Sequence, residues 1–157
     1  MCPCENYEVI AVKKKIVALA LGAMMSMSVA AMAATPDAEM MSAQQVKANT
    51  WIDAMLVKNK PTESLKVMSP DFQKNVDDKK ITEFYQDLVK NLGKLKGASF
   101  VSWARIPGTD QDQMLYLMSF EKEKLVRCVF FFDKKGNLHN FALTPEQQPK
   151  EKEDKKK

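Results

Sequence analysis

Histidine occurs once in the 157 residues, tryptophan twice, cysteine three times and glycine five times. A single histidine narrows general acid–base chemistry to carboxylates and that one imidazole. No Gly-x-Ser-x-Gly elbow, no glycine-rich phosphate loop and no metal-ligand cluster occurs in the sequence. Cys2 and Cys4 stand too close together, without further ligands, to make a zinc site. Cys128 is then the one thiol in the body of the chain, so the fold rests on its core and not on a disulfide. Charge of one sign is also missing, with 24 basic residues against 20 acidic ones. Five of those lysines lie in residues 150–157, which leaves the body near neutral. No basic stripe interleaved with aromatics appears, which argues against a nucleic-acid partner. At 45% hydrophobic and 28% charged the chain is neither collagen-like nor wholly disordered.

What the sequence does contain begins with a leader. Lys13, Lys14 and Lys15 precede an uncharged stretch over 16–34 that reaches Ala31-Met32-Ala33, a small-x-small cleavage site. Residues 1–33 are read as a bacterial export signal, which places the mature protein in the periplasm or outside the cell. The same 19 uncharged residues are just long enough to span a bilayer as an uncleaved anchor. Their Ala, Met, Ser and Gly content and the small-x-small end favour cleavage, with no stable membrane insertion afterwards. Glu5 and Glu8 sit awkwardly ahead of a basic segment, so residues 1–11 are read as a mis-assigned start, with initiation at Val12. No cysteine stands directly after the apolar stretch, so a lipoprotein acceptor is lacking.

Residues 37–145 are read as a single α+β domain. Ala48, Trp51, Ile52 and Met55 form one apolar stripe of a helix over 37–59. Pro61 ends it. Leu65, Met68, Phe72 and Val76 continue a helical face, with Ser69 as N-cap and Pro70 at the first helical position. Asp77 and Asp78 open a third helix with the stripe Ile81, Phe84, Tyr85, Leu88 and Leu92, and Gly93 ends it as a left-handed cap. From Ala98 the period changes to two. Segments 98–106, 113–121, 125–133 and 137–144 are read as four strands of an antiparallel meander. Gly136 fits the left-handed position of a three-residue hairpin loop that sets Phe132 opposite Leu138, Phe131 opposite His139 and Val129 opposite Phe141. Residues 146–157 carry no apolar period and are read as a disordered Lys-rich tail.

Strand parity then assigns two faces. One carries Met114, Tyr116, Met118, Phe120, Val126, Cys128, Phe130, Phe132, Leu138 and Ala142. The other carries Val101, Trp103, Leu115, Leu117, Val129, Phe131, Phe141 and Leu143. Helices cover one face; the second, also apolar, calls for a partner or for the curl of the sheet itself. A homodimer through a sheet face is one expectation. The second face also gathers Trp103, Arg105, Arg127 and His139, the candidate pocket, with arginine as a bidentate carboxylate binder. The same four residues also fit snorkelling arginines and a surface histidine. Asp112, Glu121 and Asp133 fall at turns and are expected to be solvated.

The order helix, helix, Ser69-Pro70-Asp71-Phe72, helix, Leu92-Gly93-Lys94-Leu95, then a meander carrying Phe120-Glu121-Lys122 and Val129-x-x-Phe132-Asp133-x-x-Gly136-x-Leu138 resembles the bacterial domain of unknown function 3887 family. The likeness spans residues 46–145. Asn140 departs from it, where a small residue is expected. The resemblance implies a nuclear transport factor 2-like cone: helices packed on a curved four-stranded sheet, often with a pocket, often dimeric. It supplies no catalytic residue, cofactor or metal. The expected function is an exported, non-enzymatic domain that binds a small ligand or an envelope protein. A pocket enzyme of the nuclear transport factor 2-like type and a purely structural dimerisation module are the alternatives.

Overall fold

The computed structural model describes residues 35–146. The expected export signal lies outside them, as does the expected tail beyond Glu146. The chain divides into two compact units, residues 1–38 and 39–157. Of the first, only residues 35–38 are described; there the Ala38 N–H donates to Thr35 Oγ1 at 3.2 Å. Among the described residues, no helix is long and apolar enough to cross a membrane.

Among the described residues, four α-helices and one π-helical turn precede four strands. In α1 (Pro36–Ile52) Gln44, Ala48, Trp51 and Ile52 are buried, a stripe at the helical period. The last turn widens into a π-helix, Asp53–Val57, where the Lys58 N–H donates to Asp53 O at 2.8 Å. The helix expected to reach residue 59 therefore ends two residues earlier. Asn59 leaves it at φ +58, a conformation asparagine tolerates, and its Oδ1 accepts from the Tyr85 hydroxyl at 2.7 Å. The stripe from Leu65 to Val76 is split between two short helices, α2 (Pro61–Leu65) and α3 (Pro70–Asn75). Ser69 caps α3 as expected, accepting from the Phe72 N–H at 3.3 Å, with Pro70 at the first position. Asp77 caps α4 (Asp78–Leu92) through the Lys80 N–H at 2.8 Å. Ile81 and Leu88 are its buried positions.

Gly93 terminates α4 at φ +78, as expected, but with ψ −162. It therefore leaves the left-handed helical region and extends straight into the sheet. Backbone bonds from Glu121 N to Lys94 O (3.0 Å) and Lys122 N to Leu92 O (2.9 Å) fix that exit.

The strands are β1 (Leu95–Arg105), β2 (Asp112–Phe120), β3 (Val126–Phe132) and β4 (Leu138–Pro145), paired in the order β1-β2-β3-β4, all antiparallel. The fold class is thus α+β, helices followed by an antiparallel meander. Gly136 sits at φ +74 in the β3–β4 turn, where Gly136 N donates to Asp133 O and Asp133 N to Asn137 O. Phe132 faces Leu138 as expected. The next pairs do not follow. A bulge leaves His139 unpaired, so Phe131 faces Asn140, Phe130 faces Phe141 and Val129 faces Ala142.

One extra residue reverses every side chain beyond it. Phe141 and Leu143 therefore join the helix-covered face, and Ala142 moves to the outer one. β1 carries register shifts at Lys96 and Val101, and Trp103 pairs with Met114, which also places it on the helix-covered face. The outer face keeps Leu115, Leu117, Val129 and Phe131, all half-buried, among Ser99, Ser102, Arg127 and Thr144. It is less apolar than strand parity alone implies.

The core joins the helix stripes to the inner sheet face. Trp51, Met55, Met114, Val126, Cys128, Phe130, Phe132 and Leu138 are fully buried. Trp51 stacks at 5.3 Å from Phe130 and 4.5 Å from Phe141, and Phe141 also meets Phe72 and Phe84. Burial pushes the Cys128 thiol far above its ordinary pKa, so it packs as an inert, protonated group.

Candidate functional site

Polar chemistry concentrates at one end of the sheet. Arg105, Asp112, Phe132 and Leu138 form one row across the four strands, so the β1–β2 and β3–β4 turns lie side by side. α1 flanks this end on the inner face. The segment before α3 is bonded to β4 by Ser69 N donating to Leu138 O at 2.7 Å, with a parallel bridge between Met68 and Leu138. These contacts seat α3 beside the hairpin.

On the α1 side lies a buried polar network. Gln44, fully buried, donates from Nε2 to Asp112 Oδ2 at 2.8 Å and accepts from Trp103 Nε1 at 2.6 Å. Arg105 Nε donates to Asp112 Oδ1 at 3.1 Å, and its guanidinium lies 5.7 Å from the Trp103 ring centre. Asp112 is only 6% exposed, which corrects the expectation that this turn acid is solvated. Met40, Arg105, Asp110, Asp112 and Lys134 line a small groove above it, about 190 Å³. Both Asp112 oxygens accept from protein donors, so the carboxylate fastens α1 to the β1–β2 end of the sheet. Asp112→Ala would strand the buried Gln44 amide. The expected loss is about 1–3 kcal/mol of unfolding free energy in urea titrations. An unchanged midpoint would contradict a fastening role.

On the α3 side lies the larger cleft, about 480 Å³, lined by Ser69, Asp71, Phe72, Asn75, Asp133 and His139. Val76, Gln111 and Asn140 complete its wall. Asp133 is held by its own turn: Oδ1 accepts from the Lys135 and Asn137 N–H groups, both at 2.9 Å, and Oδ2 from Asn137 Nδ2 at 3.1 Å. Burial alone would push its carboxyl up. The Asn137 and Lys135 donors and the nearby His139 outweigh that and hold it below the usual carboxylate range. His139 projects from the bulge, its ring 6.5 Å from Phe131. Its Nε2 is sealed from solvent without a hydrogen-bond partner.

The four residues of the expected pocket divide between three places. Trp103 and Arg105 do meet, on the inner face with Gln44 and Asp112. Arg127 faces outward beside Leu117 and Thr144, with its guanidinium on the Glu146 carboxylate. His139 lines the α3 cleft. The register shifts at Val101 and His139 separate residues that simple alternation places on one face. Gln44 and Asp112 were missed, although a signal existed: Gln44 stands one turn before Ala48, and Asp112 alternates in phase with Met114 and Tyr116.

No family model, no curated protein and no solved structure matches this chain. Among the described residues, no group of three or more His, Cys, Asp or Glu is placed to hold a metal ion. The arrangement offers hydrogen bonding and shape at the α3 cleft, and a closed, internally paired network on the α1 side.

Proposed function

We propose that this chain is an exported, non-enzymatic binding domain with the α3 cleft as its ligand seat. The observation that carries the reading is the cleft itself. Its volume of about 480 Å³ falls within the roughly 300–1,000 Å³ of small-molecule sites. Of the two carboxylates that line it, Asp133 is committed to donors of its own turn and Asp71 is open to solvent, which suits holding a ligand and not moving protons. The leader over 1–33 supports action in the periplasm or outside the cell. Helices ahead of a meander, with bulges in β1 and β4 that bend strands, support the nuclear transport factor 2-like cone that the sequence resembles. A pocket enzyme of that type would need a free general base in an enclosed apolar cavity, and Asp112 is neither free nor so placed.

A second reading, a homodimer, is favoured by the apolar strip of Leu115, Leu117, Val129 and Phe131 on the outer face, none of which belongs to the core. Native mass spectrometry of the exported protein addresses both readings. The expected spectrum carries the mass of a retained small molecule, lost in Asn140→Trp, whose indole would fill the cleft. Protein at bare mass in both forms would sink the seat. Single-chain mass at micromolar concentration would sink the dimer.

A further inference from the structure

We infer that the α3 cleft takes a neutral, polyhydroxylated ring of the mono- or disaccharide class. The inference rests on the binding reading above and names what binds.

The charges at the cleft exclude the alternatives. Asp71 and Asp133 line it and no lysine or arginine does, so an anion would meet two carboxylates without a cationic fork. A cation would need a carboxylate at liberty. All three acceptor contacts of Asp133 run to its own turn, so a cation would meet only Asp71, a solvent-exposed carboxylate already 3.1 Å from Lys74 Nζ through Oδ1. The groups left over are neutral and of both kinds. Asn75 donates from Nδ2 to Asp71 O, which leaves Oδ1 as an acceptor. Asn140 accepts through Oδ1 from the Phe141 N–H at 2.9 Å, which leaves its amide N–H groups as donors. The Gln111 side-chain amide supplies both. Sugar hydroxyls donate and accept at once, and planar amides and imidazoles match them pair by pair. The C–H face of a sugar ring lies well on an aromatic ring, and Phe72 supplies one, steadied at 6.0 Å by Phe141.

His139 is the independent observation. A buried nitrogen without a partner destabilises a fold, and such groups call for a reason beyond packing. The Nε2 is turned away from solvent, so a ligand in the cleft would meet the remainder of the imidazole, which lines the wall. Replacing the imidazole should therefore leave the fold intact and impair only the ligand.

The test is a set of amide NMR titrations of the whole protein with glucose, N-acetylglucosamine and maltose, with spermidine and citrate as charged probes. A neutral sugar is expected to shift the resonances of Phe72, Gln111, His139 and Asn140. Binding should weaken about tenfold in His139→Leu and in Asn140→Ala, while the melting temperature of His139→Leu stays level or rises. Shifts at those residues from spermidine or citrate, with none from the sugars, overturn the ligand class and leave the seat standing. No shift from any probe overturns this inference, with the bare-mass result above deciding against the seat itself. A His139→Leu protein that melts well below the parent assigns the imidazole to packing and overturns its role here.

Discussion

Trp51→Ala is expected to remove about 3–5 kcal/mol of unfolding free energy. Trp51 is fully buried at the junction of α1 with the inner sheet face. Its ring touches Phe130 at 5.3 Å, edge-on, and Phe141 at 4.5 Å. Phe141 passes the contact on to Phe72 and Phe84, from α3 and α4. Truncation would therefore open a cavity where α1 meets β3 and β4. Trp51→Phe should be far milder. The smaller ring keeps the stacking and removes the indole Nε1, which is buried without a hydrogen-bond partner. Urea unfolding of the three proteins, compared at equal slopes, measures the difference. Equal losses for Ala and Phe would mean that the ring cluster is not what holds α1 to the sheet.

Gly93→Ala follows, with an expected loss of about 2–4 kcal/mol. Two separate causes add. At φ +78 and ψ −162 the backbone occupies a region open almost only to glycine. A Cβ there would also stand 2.8 Å from Glu121 Cβ and 2.9 Å from Glu121 Oε2. Glu121 has little freedom to yield, because its Oε2 accepts from the Lys94 N–H at 3.0 Å. That bond leads the causes that hold its carboxyl below the usual range, against the upward push of burial. Gly108→Ala is the control. It shares a positive φ of +74, but a Cβ there would meet nothing within 4 Å. It should lose only about 1–2 kcal/mol. Thermal or urea unfolding that ranks Gly108→Ala equal to Gly93→Ala would remove the steric half of the argument.

The same contrast separates what could be read along the chain from what could not. The caps Ser69 and Asp77, the positive φ of Gly93 and Gly136, and the pairing of Phe132 with Leu138 were all legible. Each depends on a few consecutive residues whose chemistry admits one geometry. The inner-face residues of β2 and β3 were legible too, because Met114 to Phe120 and Val126 to Phe132 alternate without interruption. β1 and β4 were not. Lys96, Val101 and His139 are extra residues in their ladders, and nothing in their side chains announces a bulge. Their effect is nonetheless large, since it carries Trp103, Phe141 and Leu143 across the sheet.

Local sequence therefore determined that helices precede strands, the Ser69 and Asp77 caps, the hairpin turn and the α+β class. Those follow from capping, periodicity and turn chemistry, which act over a turn or two of chain. Only the tertiary structure decided which residues share a site. Gln44 bonds to Asp112 across 68 positions and to Trp103 across 59. The α3 cleft joins Ser69 and Asp71 to Asp133 and His139. Such pairs depend on strand register and on where helices land, and a single bulge resets both. The chain's one histidine, conspicuous from the start, gained its meaning only there: a bulge turns it out of the ladder and into the wall of the cleft.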